Sequence, residues 1–232
     1  MGALDFLDEC TNEELAPLVK FIVDEGSETE MLTVDEGYQK YKPDHHKYLE
    51  KIKNEILDFG SNTFWFQTDY KTIVEDVCDK LDADRGNGSI RDMEAGIMAV
   101  VFTNAWKDLS AEDRRAVLQS LDEKETLSDY SGKITTAALT ALFRQGGFAS
   151  YQLAVIVANS IAKFALGRGL SFAANAALTK CLSVFAGPVG WAITAAWTLI
   201  DFGGPAYRVT VPAVCYIASL RFVHEGEGRT NP

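Results

Sequence analysis

Histidine, cysteine and proline are scarce in this chain: three, four and six among 232 residues. The cysteines stand at 10, 78, 181 and 215, with no CxxC among them. That spacing excludes a disulfide scaffold and a cysteine-rich zinc module, and it reads as reduced, buried thiols. Positive charge is also short, 22 basic residues against 33 acidic, for a net −11. Such a balance argues against a nucleic-acid binder, which needs a basic face to release counterions. The opening MGALDFLDEC is acidic and has no apolar signal core, so a cytoplasmic protein is expected. Phe6 stands where a myristoylation signal wants Ser or Thr. Alternating apolar and polar residues, the mark of half-buried strands, are missing as well.

Chemical motifs are absent in the same way. No Gly-x-Ser-x-Gly elbow, Walker loop or dinucleotide fingerprint occurs, and no cysteine has a histidine near it in sequence. His45 and His46 are adjacent, so on a helix they diverge by about 100° and cannot share an ion; they read as surface residues. His224 stands alone. The stretch DADRGNGSIRDME imitates a calcium loop but places Asn87 where glycine is required and Met93 where glutamate is required. The expectation is a non-enzyme, with no catalytic, cofactor-binding or metal-binding residue named.

What the chain does have is helical punctuation. Thr11 and Glu14 make a capping box before Leu15, Leu18, Val19 and Ile22. Tyr48, Ile52, Ile56 and Phe59 form one stripe, and Ile73, Val74, Val77, Cys78 and Leu81 another. Ser110 and Asp113 cap a further charged helix. From about residue 131 the character changes. Residues 1–144 carry a net −14, whereas 145–222 hold five basic residues and one acid, Asp201. This second part is rich in alanine and glycine, with uncharged stretches at 145–162, 169–179, 182–200 and 209–220. Apolar residues run around the whole helical circumference, as in the centre of a core or a membrane span.

These features predict an all-α helical bundle in three parts: an acidic amphipathic region at 1–130, an apolar helical core or hairpin at 131–222, and a flexible tail at 223–232. The run LSVFAGPVGWAITAAWTLI, residues 182–200, is long enough to span a bilayer, although Gly187, Pro188 and Gly190 weaken its first turn. The other uncharged stretches read as too short or too weak to span alone. A hairpin over 182–220 would carry Trp191 and Trp197, with Asp201 pairing to Arg208 or Arg168. Exposed aromatics at Tyr38, Tyr41, Phe64, Trp65 and Phe66 would form a partner surface.

Three blocks carry a family resemblance: LDFL…NEELAPLVKFI, then YQKYKPDHHKYLEKIKNEILDFGSNTFW with IVEDVCDKL, and GGFASYQLAVIVANS through VPAVCYIASLR. Together they cover most of the chain and resemble the YaaW family of bacterial proteins. That resemblance implies a distant relationship to ubiquinol–cytochrome c chaperones. Two functions are expected from it and from the residues. The first is a membrane-associated protein whose shielded apolar hairpin inserts into or perturbs a bilayer at the inner membrane, by the logic of pore-forming colicin domains. The second is a soluble assembly chaperone that holds a hydrophobic protein helix.

Overall fold

The computed structural model describes residues 2–25, 30–61, 68–120, 135–171 and 206–230. Among them the chain is all-α: helices and short 3-10 turns, with no strand. The helices are α1 (Asn12–Glu25), α2 (Glu36–Tyr41), α3 (Leu49–Phe59), α4 (Tyr70–Leu81), α5 (Ile90–Lys107), α6 (Ala111–Ser120), α7 (Thr136–Gln145), α8 (Phe148–Leu166) and α9 (Tyr207–Thr230). Phe64, Trp65 and Phe66, and the hairpin residues Gly187, Pro188, Gly190, Trp191, Trp197 and Asp201, lie outside the described residues.

Local chemistry starts these helices. Thr11 and Glu14 form the reciprocal box at α1: the Glu14 amide donates to Thr11 Oγ1 at 3.2 Å, and the Thr11 amide donates to Glu14 Oε2 at 2.7 Å. Asp35, Asp69, Ser89 and Thr135 each accept from the amide three residues on, at α2, α4, α5 and α7. Ser110 does the same for Asp113 at the start of α6. The Gly146–Gly147 pair separates α7 from α8, and Gly167 ends α8 with a left-handed φ of 72° that suits glycine.

Two kinds of helix follow from the two kinds of sequence. In α3, Leu49, Ile52, Ile56 and Phe59 are buried while the opposite face carries charge. In α8, every residue from Ala149 to Ala162 is buried, and in α9 so is every residue from Val209 to Leu220. These two helices pack against each other, and α9 also packs against α1, α3, α4 and α5. The amphipathic helices therefore sheathe an apolar pair. Each buried Leu, Ile or Val removes about 1.5–3 kcal/mol worth of side-chain exposure from water.

Three expectations are corrected here. Phe148–Leu166 is long and apolar enough to cross a membrane, although the 145–162 stretch reads as too weak; the helix gains length by running past Lys163 through Phe164 and Leu166. Of the expected tail 223–232, residues 223–230 continue α9, and Val223 is fully buried. His45 is buried rather than superficial, with its Nδ1 2.6 Å from the Tyr48 hydroxyl. His46, by contrast, is exposed as expected.

Candidate functional site

The last turns of the buried part of α9 bring polar side chains against the start of the chain. Arg221 comes first. Its Nε donates to Glu94 Oε2 of α5 at 2.7 Å, and a second guanidinium nitrogen donates to the Ala3 carbonyl at 2.8 Å. The Tyr70 hydroxyl of α4 donates to the other Glu94 oxygen at 2.9 Å. Glu94 is completely buried. Burial pushes its carboxyl up, and the Arg221 charge and the two hydrogen bonds oppose that rise. Burial lifts the Tyr70 hydroxyl well above its ordinary range, so it stays a donor. The Arg221 guanidinium also stacks 4.3 Å from the centre of the Phe6 ring.

One helical turn on, His224 meets two further side chains. Its Nε2 lies 3.2 Å from Glu14 Oε1 and 3.6 Å from Cys10 Sγ. Cys10 follows the first 3-10 turn, Asp5–Glu9, and Glu14 belongs to the first turn of α1. Three elements thus deliver one sulfur, one oxygen and one nitrogen to a single place, all within 4.8 Å of one another. The set has the donor types of a divalent-metal site. Phe6 closes one side, edge-on to the imidazole. Cys10 is buried, and the side chains of Glu14 and His224 are 12% and 21% exposed.

Electrostatics separates this group from a cysteine-protease arrangement. Burial, then Glu14 and Glu9, drive the Cys10 thiol far above its ordinary value, whereas a nucleophilic cysteine needs a lowered one. Both contacts also use the same imidazole nitrogen, so the ring cannot relay a proton from thiol to carboxylate. Burial alone would raise the Glu14 carboxyl, but the hydrogen bonds with His224 and Thr11 outweigh it and hold the group below its usual range.

The named residues fare differently. Tyr41 is 40% exposed, whereas Tyr38 leans on the core and packs edge-on against Tyr48. Met31 and Val34, which sequence reasoning missed, are more exposed than either tyrosine, at 54% and 61%. Arg168 pairs with Glu13 at 2.8 Å. The calcium-like loop is a helix connector, with its Asp84 held by Arg144 at 3.0 Å. Cys10, Cys78 and Cys215 are free and buried. A shallow cleft of about 560 Å³ runs beside the start of α1, lined by Asn12, Asp44, His45 and Arg168 among others.

A UPF0174 protein of Helicobacter pylori strain J99 is 39% identical over 228 residues, covering 94% of this chain and 90% of the relative. The chain belongs to the UPF0174 family. A second UPF0174 protein of the same strain is 35% identical over 201 residues, covering 83% of this chain and 96% of the relative. UPF0174 protein YaaW of Escherichia coli K12 is 26% identical over 234 residues, covering 94% and 92% respectively. No family model and no solved structure matches the chain. The resemblance to the YaaW family thus holds over nearly the whole length.

Proposed function

We propose that this UPF0174 protein is a non-enzymatic, membrane-associated bundle that acts from the cytoplasm at the inner membrane. Its apolar pair is kept out of water by its acidic helices and engages lipid when they part. One observation carries the reading: α8 and α9 pack together with unbroken buried runs at 149–162 and 209–220, inside a sheath of amphipathic helices. A helix buried on all sides belongs to the centre of a core or to a membrane span, and α8 is also long and apolar enough to cross a bilayer. The buried run of α8 includes Ser150, Gln152, Asn159 and Ser160 but no charge, and its backbone hydrogen bonds are internal, so this helix can also be accommodated in hydrocarbon. Of the expected 182–220 hairpin, residues 207–220 belong to α9, which packs on α8.

Phe148 and Phe164, near the two ends of α8, are 39% and 46% exposed and supply first contacts with a lipid surface. The test is flotation of the purified protein with anionic liposomes, together with release of a trapped dye, at neutral and mildly acidic pH. Co-flotation and release are expected, both reduced in the Phe148→Ser/Phe164→Ser double variant. No co-flotation at either pH sinks the reading.

The assembly-chaperone reading has its own support in the exposed Met31, Val34 and Tyr41, which lie within eleven residues of one another. Such a patch suits an apolar partner helix. A Met31→Ser/Val34→Ser variant would leave liposome binding intact and would abolish partner capture if that surface is the working one.

A further inference from the structure

We propose that Cys10, Glu14 and His224 form a zinc site that ties the beginning of the chain to its last described helix. The proposal is independent of the membrane reading.

Distances come first. Zinc binds sulfur at about 2.3 Å and imidazole nitrogen or carboxylate oxygen at about 2.0–2.2 Å, in a tetrahedron. Those lengths put sulfur and nitrogen about 3.5 Å apart, and nitrogen and oxygen about 3.3 Å apart. Here Cys10 Sγ and His224 Nε2 are separated by 3.6 Å, and His224 Nε2 and Glu14 Oε1 by 3.2 Å. Two edges of the tetrahedron are already formed, and the third donor pair lies within 4.8 Å.

Proton counting points the same way. One imidazole nitrogen faces both a thiol and a carboxylate. If Nε2 carries a proton, Glu14 Oε1 takes it at 3.2 Å, and the Cys10 thiol is left with the Phe6 carbonyl at a long 3.9 Å. If it does not, its lone pair faces a carboxylate oxygen. A cation at the centre satisfies nitrogen, sulfur and oxygen lone pairs together. Sulfur beside imidazole selects a borderline or soft ion over magnesium or calcium, and tetrahedral S, N and O donors suit zinc.

The surroundings are those of a supported site. Glu14 presents Oε1 to the centre while Oε2 accepts from the Thr11 amide at 2.7 Å and the Thr11 hydroxyl at 2.9 Å, which fixes the carboxylate's orientation. Phe6 packs against the ring and screens one side from water. Three protein donors leave a fourth position, and the partial exposure of His224 lets a water fill it.

The decisive experiment uses full-length, tag-free protein freed of metal with a chelator, titrated with zinc by calorimetry and with cobalt by absorbance. One equivalent per chain is expected, with a thiolate-to-cobalt charge-transfer band and tetrahedral cobalt bands. Cys10→Ser should erase the charge-transfer band and weaken zinc by on the order of 100-fold or more. Thr11→Val, which removes one hydrogen bond to Glu14 Oε2 together with the side-chain cap of α1, should cost about 10–100-fold. A charge-transfer band that survives Cys10→Ser overturns the assignment, since another cysteine then supplies the sulfur. Should that variant not fold, the wild-type titration decides: absence of saturable binding or of the cobalt band leaves Glu14 and His224 as an ordinary ion pair.

Discussion

Two polar clusters sit one turn apart on α9, and they solve burial differently. At Arg221 the charges cancel: Glu94 receives one guanidinium nitrogen and one hydroxyl, and a second guanidinium nitrogen finds a carbonyl. At His224 a thiol and a carboxylate meet at a single nitrogen, so three potential ligand atoms converge on one place. The first arrangement is complete in the protein alone. The second is completed by something outside the chain. A buried charge network therefore does not announce a binding site; convergence of lone pairs is the more telling sign.

That contrast can be broken most forcefully at Arg221. Arg221→Ala leaves Glu94 buried and uncompensated, and chemical denaturation should show a loss of about 3–5 kcal/mol. The double variant Glu94→Leu/Arg221→Met should recover most of that loss, because an apolar pair replaces both charges. His224→Ala in metal-free protein should cost less, about 1 kcal/mol, since Glu14 keeps its bonds to Thr11. If the two single substitutions cost the same, the distinction between a closed and an open cluster fails.

A third test concerns the buried histidine, His45. Burial lowers the His45 pKa below its ordinary value of about 6.5. The unfolded chain therefore binds the proton first, and stability falls as pH drops below about 6.5 toward the folded value. His45→Gln should flatten that acid side of the melting-temperature profile measured by circular dichroism. The smallest expected effect is that of the Phe148→Ser/Phe164→Ser variant on folding. Both rings are substantially exposed, so each change should shift stability by no more than about 0.5 kcal/mol in a denaturant titration.

Much of the fold is legible in the sequence because helix starts are local events. Thr11 with Glu14, and Ser110 with Asp113, need only a few residues to declare a cap, and both caps form. The stripes on α3 and α4 are equally local. What sequence could not supply are the long-range meetings. Cys10 and His224 lie 214 positions apart, and nothing in either neighbourhood signals the other. Gly226 shows the same limit. It lies in the stretch expected as a flexible tail, yet a Cβ there would stand 2.7 Å from the Cβ of Tyr151, so the glycine permits close approach of α9 to α8. His45 reads as a surface residue because its burial depends on packing that its neighbours do not encode.

The central place of α9 has a consequence in time. Every helix described here leaves the ribosome before α9 does, and five of them, α1, α3, α4, α5 and α8, pack against it. At about 5–20 residues per second, the apolar α8 is translated several seconds before its principal neighbour exists. During that interval the nascent chain carries a nineteen-residue apolar helix without its principal neighbour, and aggregation is the hazard. The net −14 carried by residues 1–144 is already synthesised by then, and like charge keeps unfinished chains apart. The acidic half thus works as a solubilising escort for its own successor.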